Sequence, residues 1–289
     1  MHDELLAGLD RKDRHSLARL ITLASRGEAI PLGSTAKPAR VLAITGSGGV
    51  GKSTLIGKLI EQFREHSQSV AVLACDPESP LTGGALLGDR FRMPVRPDDA
   101  GVFIRSLAAR SGRQAVAEHL ETIVRLCERF GFDIILIETA GAGQGDTAVR
   151  NLVDAVVLLL QPETGDDLQL EKAGLLEVAD VIVVHKADLP GAERTVSQLQ
   201  AMTEMSGRAV PVFAVSSKTG QGLPELAKAL GNLPLRSRGV GDTGRLLQMV
   251  QAEVARRFAD MERSGALTKL QDGTQSEVER IKKLLERLR

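Results

Sequence analysis

The chain has 289 residues, and its 37 Lys and Arg balance 37 Asp and Glu, so the formal net charge at pH 7 is zero. This balance provides no strong field to attract nucleic acid or a membrane surface. Aromatic residues make up 2% of the chain, with no Trp or Tyr, which leaves few side chains on which single-stranded bases could stack. We therefore expect no nucleic acid and no membrane among its partners.

The cysteines and the apolar stretches indicate the compartment. Cys75 and Cys127 lie in apolar runs without the spacing of metal ligands, which favours reduced, buried thiols. The first residues are charged and lack the apolar core of a signal peptide. No apolar stretch approaches the ~20 residues that a membrane helix needs. These features predict a cytoplasmic protein.

In chain order, the first element is a helix predicted for residues 4–28, where leucines recur at helical spacing. After a linker, short runs that are apolar at every position alternate with helical stretches. The runs are 41–45, 70–75, 102–104, 134–137, 155–160, 181–184 and 210–215. Such runs suit strands buried on both faces, so we predict an α/β fold with a doubly wound, mostly parallel sheet of about seven strands.

The strand pattern ends near residue 235, and helical stretches follow at about 243–263 and 275–289. The predicted organisation therefore has three parts. They are an N-terminal helical arm and linker at 1–38, an α/β domain at 39–236, and a C-terminal helical arm at 237–289.

The segment GSGGVGKS, residues 46–53, stands directly after a predicted strand and before a predicted helix, as a P-loop requires. Its glycines allow backbone N–H groups to cradle phosphate oxygens at the helix N-terminus. Lys52 would bridge the outer phosphates, and the Ser53 hydroxyl would hold Mg²⁺. The predicted phosphate-binding residues are Gly46, Ser47, Gly48, Gly49, Val50, Gly51, Lys52, Ser53 and Thr54.

Acidic residues at two further strand ends predict the rest of a magnesium site. Asp76 ends the strand after the P-loop helix, and Asp89 follows in a loop rich in Pro, Ser, Thr and Gly. Glu138 ends a later strand and begins ETAGAGQGD, in which the Gly141 N–H is placed to contact a γ-phosphate. Gln144 in the same segment is a candidate switch and catalytic residue.

The segment HKAD, residues 185–188, ends a strand and is similar to the N-K-x-D pattern of guanine sites, with His185 in place of Asn. Asp188 would accept hydrogen bonds from N1–H and the 2-amino group of guanine, and Lys186 would cover the ring. Adenine lacks both donors and would leave Asp188 unpaired. The predicted nucleotide contacts here are His185, Lys186, Asp188, Ser216, Ser217 and Lys218. GTP and GDP are therefore the expected ligands, and residues 39–236 are predicted to form a P-loop GTPase domain.

Together these motifs resemble those of the GTPase chaperones of adenosylcobalamin-dependent acyl-CoA mutases, the methylmalonyl-CoA mutase-associated GTPases. The most specific segments are DPESPLTGGALLGDRFRM, ETAGAGQGD and residues 163–180. Residues 163–180 match an additional switch that relays nucleotide state to the mutase in this family. Asp166, Gln169 and Lys172 stand at its usual positions.

The resemblance implies a Mg²⁺-dependent GTP hydrolase that gates cofactor loading or protection of such a mutase and forms a homodimer. The candidate catalytic residues are Lys52, Glu138, Gln144 and Lys172. The candidate metal ligands are Ser53, Asp76, Asp89 and Glu138. The chain departs from the family at His185, at Ser47 and Gly48, and in a C-terminal arm that is shorter and carries different residues.

Three other functions remain open. A nickel-insertion GTPase accessory factor would need a Cys/His cluster, whereas His2 and His15 stand alone. An ATP-dependent small-molecule kinase would need an acceptor pocket, and Asp188 argues against ATP. A scaffold that GDP merely stabilises would not need Lys52 and Glu138.

Overall fold

The computed structural model describes residues 2–32, 38–77, 99–109, 119–139, 149–162, 178–205 and 207–236. The chain divides into two units, 1–238 and 239–289, and the described residues all lie in the first. Within these ranges no helix has the length and apolar character needed to cross a membrane. The helical stretches predicted after residue 236 lie outside the described residues.

One parallel sheet forms the centre of the described chain. Its strands are β1 (Arg40–Thr45), β2 (Val70–Pro77), β3 (Val102–Ala109), β4 (Ile134–Glu138), β5 (Ala155–Leu160), β6 (Val181–His185) and β7 (Val212–Val215). They are ordered β3-β2-β4-β1-β5-β6-β7, and every neighbouring pair is parallel. The predicted doubly wound parallel sheet is therefore confirmed.

Helices cover both faces of this sheet. They are α1 (His2–Asp10), α2 (Arg14–Ser25), α3 (Lys52–Glu65), α4 (Leu120–Phe130), α5 (Ala192–Met205) and α6 (Leu223–Asn232), with a 3₁₀ turn at Arg150–Leu152. Val41 of β1 shares a core cluster with α1, α2 and α4, whereas Leu42 shares one with α3 and α6. The central strands β1, β4, β5 and β6 are buried on both faces, which is why their sequences are almost continuously apolar. Their carboxyl ends meet at one edge, which is where ligands bind in such folds.

The single helix predicted for residues 4–28 is wrong, because the chain forms α1 and α2 with a turn between them. The Asp13 carboxylate caps α2 by accepting the Ser16 backbone N–H at 3.0 Å. Lys12 has a φ of +64°, a left-handed conformation that ends α1. A Cβ added to Gly8 would lie 2.2 Å from Ser16 Oγ, so the two helices approach closely. Leucines on both sides of the turn keep the spacing of one helix, which is why periodicity alone misses the break.

The pair of N-terminal helices is joined to the α/β unit by polar as well as apolar contacts. Arg129 at the end of α4 donates to both carboxylate oxygens of Asp10, each at 2.9 Å. Arg14 donates to the carbonyl oxygen of Val102 at the start of β3. The two helices therefore lie on the α4 face of the sheet.

The amino-terminal edge of the sheet is organised by two carboxylates. Asp154 is 2% exposed, and its two oxygens accept the backbone N–H groups of Val41 and Arg236, each at 2.8 Å. Asp180 accepts the Val156 N–H at 3.0 Å and binds the Arg236 guanidinium at 2.7 and 3.1 Å. These carboxylates satisfy backbone donors at the starts of β1 and β5.

Replacing Asp154 by Asn is expected to destabilise the fold by about 2–4 kcal/mol, because the amide nitrogen would face a buried N–H group. For a unit of this size the melting temperature should fall by roughly 5–12 °C, measured by circular dichroism. Asp10→Asn is the matched control, since the Asp10–Arg129 pair is half exposed and worth about 1 kcal/mol or less. Equal losses in the two variants would contradict this role for Asp154.

Candidate nucleotide-binding site

The loop between β1 and α3 lies at the carboxyl edge of the sheet and contains residues 46–51. Gly46 has a φ of +147°, and a Cβ there would lie 2.5 Å from the Leu159 carbonyl oxygen on β5. Only glycine fits so close to the neighbouring strand. Gly51 caps α3, which begins at Lys52. The loop therefore leads into a helix N-terminus, whose first N–H groups and dipole favour an anion.

Lys52, Ser53 and Glu138 come together at the start of α3. The Lys52 ammonium donates to the carbonyl oxygens of Gly46 (2.8 Å) and Ser47 (3.2 Å), so its charge lies along the loop. The Ser53 hydroxyl donates to Glu138 Oε1 at 2.7 Å, at the end of β4. A hydroxyl and a carboxylate at this distance are oxygen ligands of the kind that Mg²⁺ prefers. These two residues therefore fit the predicted metal site.

A cavity of about 410 Å³ adjoins the phosphate loop, a volume typical of small-molecule sites. Its lining comes from the phosphate loop and from the segments that follow β6 and β7. The lining residues are Gly49, Gly51, Thr54, His185, Lys186, Asp188, Leu189, Ser217 and Lys218. The fold thus brings together the phosphate loop and HKAD, which are far apart in the sequence, since His185 follows Val50 by 135 residues.

Asp188 presents an ionised carboxylate to this cavity. Ser216 Oγ donates to Asp188 Oδ1 at 2.6 Å, and Lys218 Nζ lies 4.0 Å from Oδ2. The hydrogen bond from Ser216 lowers the pKa of Asp188 below its usual range, and the charge of Lys218 adds to this effect. The carboxylate therefore stays ionised at neutral pH and is purely an acceptor, as recognition of the two guanine donors requires.

His185 connects the phosphate loop to the segment after β7. Its Nδ1 lies 2.8 Å from the Val50 carbonyl oxygen, and its Nε2 lies 2.8 Å from Ser217 Oγ. A carbonyl oxygen only accepts, so Nδ1 carries the proton in the neutral ring and Nε2 accepts from the Ser217 hydroxyl. Burial lowers the pKa of His185, and the nearby Lys186 charge also lowers it. The neutral form is therefore favoured at neutral pH.

Two residues of the site carry no motif and are missed by sequence reasoning. Gln161 follows β5 and its Oε1 accepts from Lys186 Nζ at 2.8 Å, while Lys186 also reaches the Gly49 carbonyl oxygen at 3.3 Å. Leu189 lines the cavity and is 46% exposed. The only sequence signal for Gln161 is its place directly after a buried strand, and that signal is weak.

Several predicted site residues have no described side chain. Asp89, Gly141, Gln144 and Lys172 lie outside the described residues, and for Asp76 the backbone alone is described, at the end of β2. Their roles stay predictions. In the described ranges, no cluster of three or more His, Cys, Asp or Glu is arranged to hold a metal ion.

Gly51→Ala is expected to weaken nucleotide binding at least tenfold, because a Cβ at Gly51 would lie 2.5 Å from two atoms of the His185 ring. Its φ of +103° adds strain of about 1–2 kcal/mol for any L side chain. Titration with a fluorescent GDP analogue measures the effect. Gly231→Ala is the control, since a Cβ there meets only Phe63 at 4.0 Å. Unchanged binding by Gly51→Ala would contradict this packing.

The fold and the site define the class. A parallel sheet with a glycine-rich loop at a helix start, a Ser–carboxylate pair and an Asp in the adjoining cavity is characteristic of the P-loop GTPases. The family model described as "Methylmalonyl Co-A mutase-associated GTPase MeaB" matches residues 18–275, and the chain belongs to this family.

Individual relatives agree with this assignment. A protein of Pyrococcus horikoshii that is named as a GTPase is 40% identical over 240 residues, which is 78% of this chain and 75% of that protein. The fused isobutyryl-CoA mutase of Nocardia farcinica is 37% identical over 278 residues. That match covers 90% of this chain but 25% of the mutase, so the chain corresponds to one part of a much larger protein.

Solved structures show the same fold at low identity. The crystal structure of an LAO/AO transport system kinase has a TM-score of 0.64 at 23% identity, over 99% of this chain and 96% of that chain. HypB from Helicobacter pylori, in complex with nickel, has a TM-score of 0.52 at 19% identity, over 80% and 99% of the two chains. At such identities these likenesses establish the fold alone.

Proposed function

We propose that this protein is a Mg²⁺-dependent GTP hydrolase that acts as a switch for an adenosylcobalamin-dependent acyl-CoA mutase, gating cofactor loading or protection. The observation that carries the partner assignment is the fused isobutyryl-CoA mutase, in which a segment matching 90% of this chain is part of the mutase polypeptide. A segment that is fused in one organism to its partner commonly corresponds to a separate subunit in another. Family membership supports the GTPase part.

The side chains of the site support GTP as the nucleotide. Lys52 provides a positive charge where the phosphates would lie, and Asp188 provides an acceptor for guanine. Ser53 and Glu138 would hold Mg²⁺, which when bound neutralises charge between the phosphates. We propose that the Gly141 N–H contacts the γ-phosphate, that Gln144 and Lys172 act in hydrolysis, and that Asp76 and Asp89 are further ligands of the metal.

Hydrolysis by the isolated protein should be slow, about 10⁻⁴ to 10⁻² s⁻¹, as for GTPases without an activating partner. The deciding experiment measures phosphate release from GTP with and without a candidate mutase, loaded with adenosylcobalamin or free of it. We expect the mutase to change the rate at least severalfold and GTP to change cofactor transfer. A rate that no such mutase alters would refute the switch, while GTP hydrolysis itself would stand.

The alternatives have direct tests. A thermal-shift comparison should show greater stabilisation by GDP and GTP than by ADP and ATP, and the opposite order would favour a kinase. Equilibrium dialysis with Ni²⁺ should show no tight stoichiometric site, and such a site would favour the nickel-insertion factor. The homodimer is part of the proposal, and analytical ultracentrifugation with GDP would reveal it.

A further inference from the structure

We propose that His185 is a positioning residue that, in its neutral form, holds the phosphate loop (residues 46–51) and the loop after β7 (residues 216–222) in one arrangement, so that acidification weakens guanine-nucleotide binding. The inference rests on the proposed function, since it concerns how GTP and GDP are held. It arises from this chain's own departure from the N-K-x-D pattern. An amide does not titrate near neutral pH, whereas an imidazole does.

The geometry shows how one ring joins two loops. Val50, whose carbonyl oxygen receives Nδ1–H, lies in the phosphate loop one residue before the α3 cap. Ser217, whose hydroxyl reaches Nε2, lies in the loop that also contains the Asp188 partner Ser216. His185 is 3% exposed, so water cannot readily replace either bond. The ring therefore links the loop after β7 to the phosphate loop through one hydrogen bond to each.

Protonation changes this junction in two ways. Nε2 becomes a donor, so the Ser217 hydroxyl must turn and accept instead of donating. A second positive charge is also placed in a buried junction that already contains Lys186.

The surrounding charges are of both signs. The hydrogen bond to the Val50 carbonyl oxygen and the charge of Asp188 favour the cation, whereas Lys186 after β6 disfavours it. Lys52 of the phosphate loop and Lys218 after β7 carry the other positive charges of the two loops that the ring joins. Burial is the largest influence and also disfavours the cation.

The direction of the pH effect follows from this balance. The pKa of His185 in the folded protein lies below its ordinary value of 6.5. The folded state therefore binds fewer protons than the unfolded state below that pH, and stability of the junction is lost as the pH falls through the folded-state pKa. The negative phosphates of a bound nucleotide favour the cation, but Lys52 offsets their charge, and a base in the cavity further removes the ring from solvent. We therefore expect binding to favour the neutral form.

The test compares GDP affinity at about pH 8 and about pH 5.5 in the native chain and three variants. The native chain should weaken roughly threefold to tenfold more than His185→Asn, which keeps a donor and an acceptor but does not titrate. His185→Ala should weaken binding at both pH values. His66→Asn, a substitution of an exposed histidine at the end of α3, should retain the native pH dependence. The comparison cancels protonation of GDP itself, because every variant binds the same ligand.

Two outcomes would overturn the proposal. One is an equal pH dependence in the native chain and His185→Asn. The other is an NMR titration of the nucleotide-free native protein in which the pKa of the His185 ring lies at or above the ordinary value of 6.5. The NMR experiment needs no variant to fold and no nucleotide to bind. A failure of GDP binding in every chain would count against the proposed function. The pKa of His185 from the NMR titration would still test whether its neutral form joins the two loops.

Discussion

Lys52→Ala should abolish measurable GTP and GDP binding while leaving the fold intact. The ammonium donates to the Gly46 and Ser47 carbonyl oxygens, and we expect phosphate oxygens of a bound nucleotide to become its acceptors. Each hydrogen bond from a charged group contributes about 1.5–3 kcal/mol, so losing two should weaken binding by at least about 10²-fold. Isothermal titration with GDP measures the loss, and circular dichroism checks the fold.

Lys58→Ala provides the matched control for this experiment. Lys58 lies on the same helix, α3, and its ammonium pairs with the exposed Glu61 at 2.8 and 3.0 Å. It should bind GDP like the native chain. If Lys52→Ala retained native affinity, the loop at 46–53 would not be the phosphate site, and the GTPase proposal would fail with it.

Asp188→Asn should produce the second large effect, a loss of guanine affinity of about 10²- to 10⁴-fold. The Asn amide would direct N–H donors toward the 2-amino group of guanine, where Asp188 offers acceptors. Xanthine carries a carbonyl oxygen at that position, so xanthosine diphosphate should bind the variant better than GDP does. Competition titrations with GDP, ADP and xanthosine diphosphate measure the order of affinities.

The control for the base site is Asp3→Asn, an identical change at an exposed position on α1. It should leave the order of nucleotides unchanged. An Asp188→Asn variant that still bound GDP more tightly than xanthosine diphosphate would show that the carboxylate does not recognise the base. The Ser216 hydrogen bond to Asp188 would then serve the loop alone.

Local sequence predicts much of the candidate site, because each motif follows a buried strand. The strand ends before the phosphate loop, Glu138 and HKAD all lie at the carboxyl edge of the sheet, as their order along the chain predicts. Local sequence does not predict the role of Gln161, because a glutamine after a strand is common and its partner Lys186 follows a different strand. The break between α1 and α2 was missed because a cap at Asp13 interrupts the backbone without interrupting the leucine pattern.

The sequence by itself determined the parallel sheet, the phosphate loop and the family, because these depend on continuous apolar runs and on residue types at fixed short spacing. The tertiary structure alone decided what His185 contacts. From sequence, its ring was equally able to face the base or a loop carbonyl. The fold places the Val50 carbonyl oxygen on one side of the ring and the Ser217 hydroxyl on the other, both at 2.8 Å. Contacts between residues so distant in the chain exist only once β1, β6 and β7 have joined one sheet, since no local pattern specifies them.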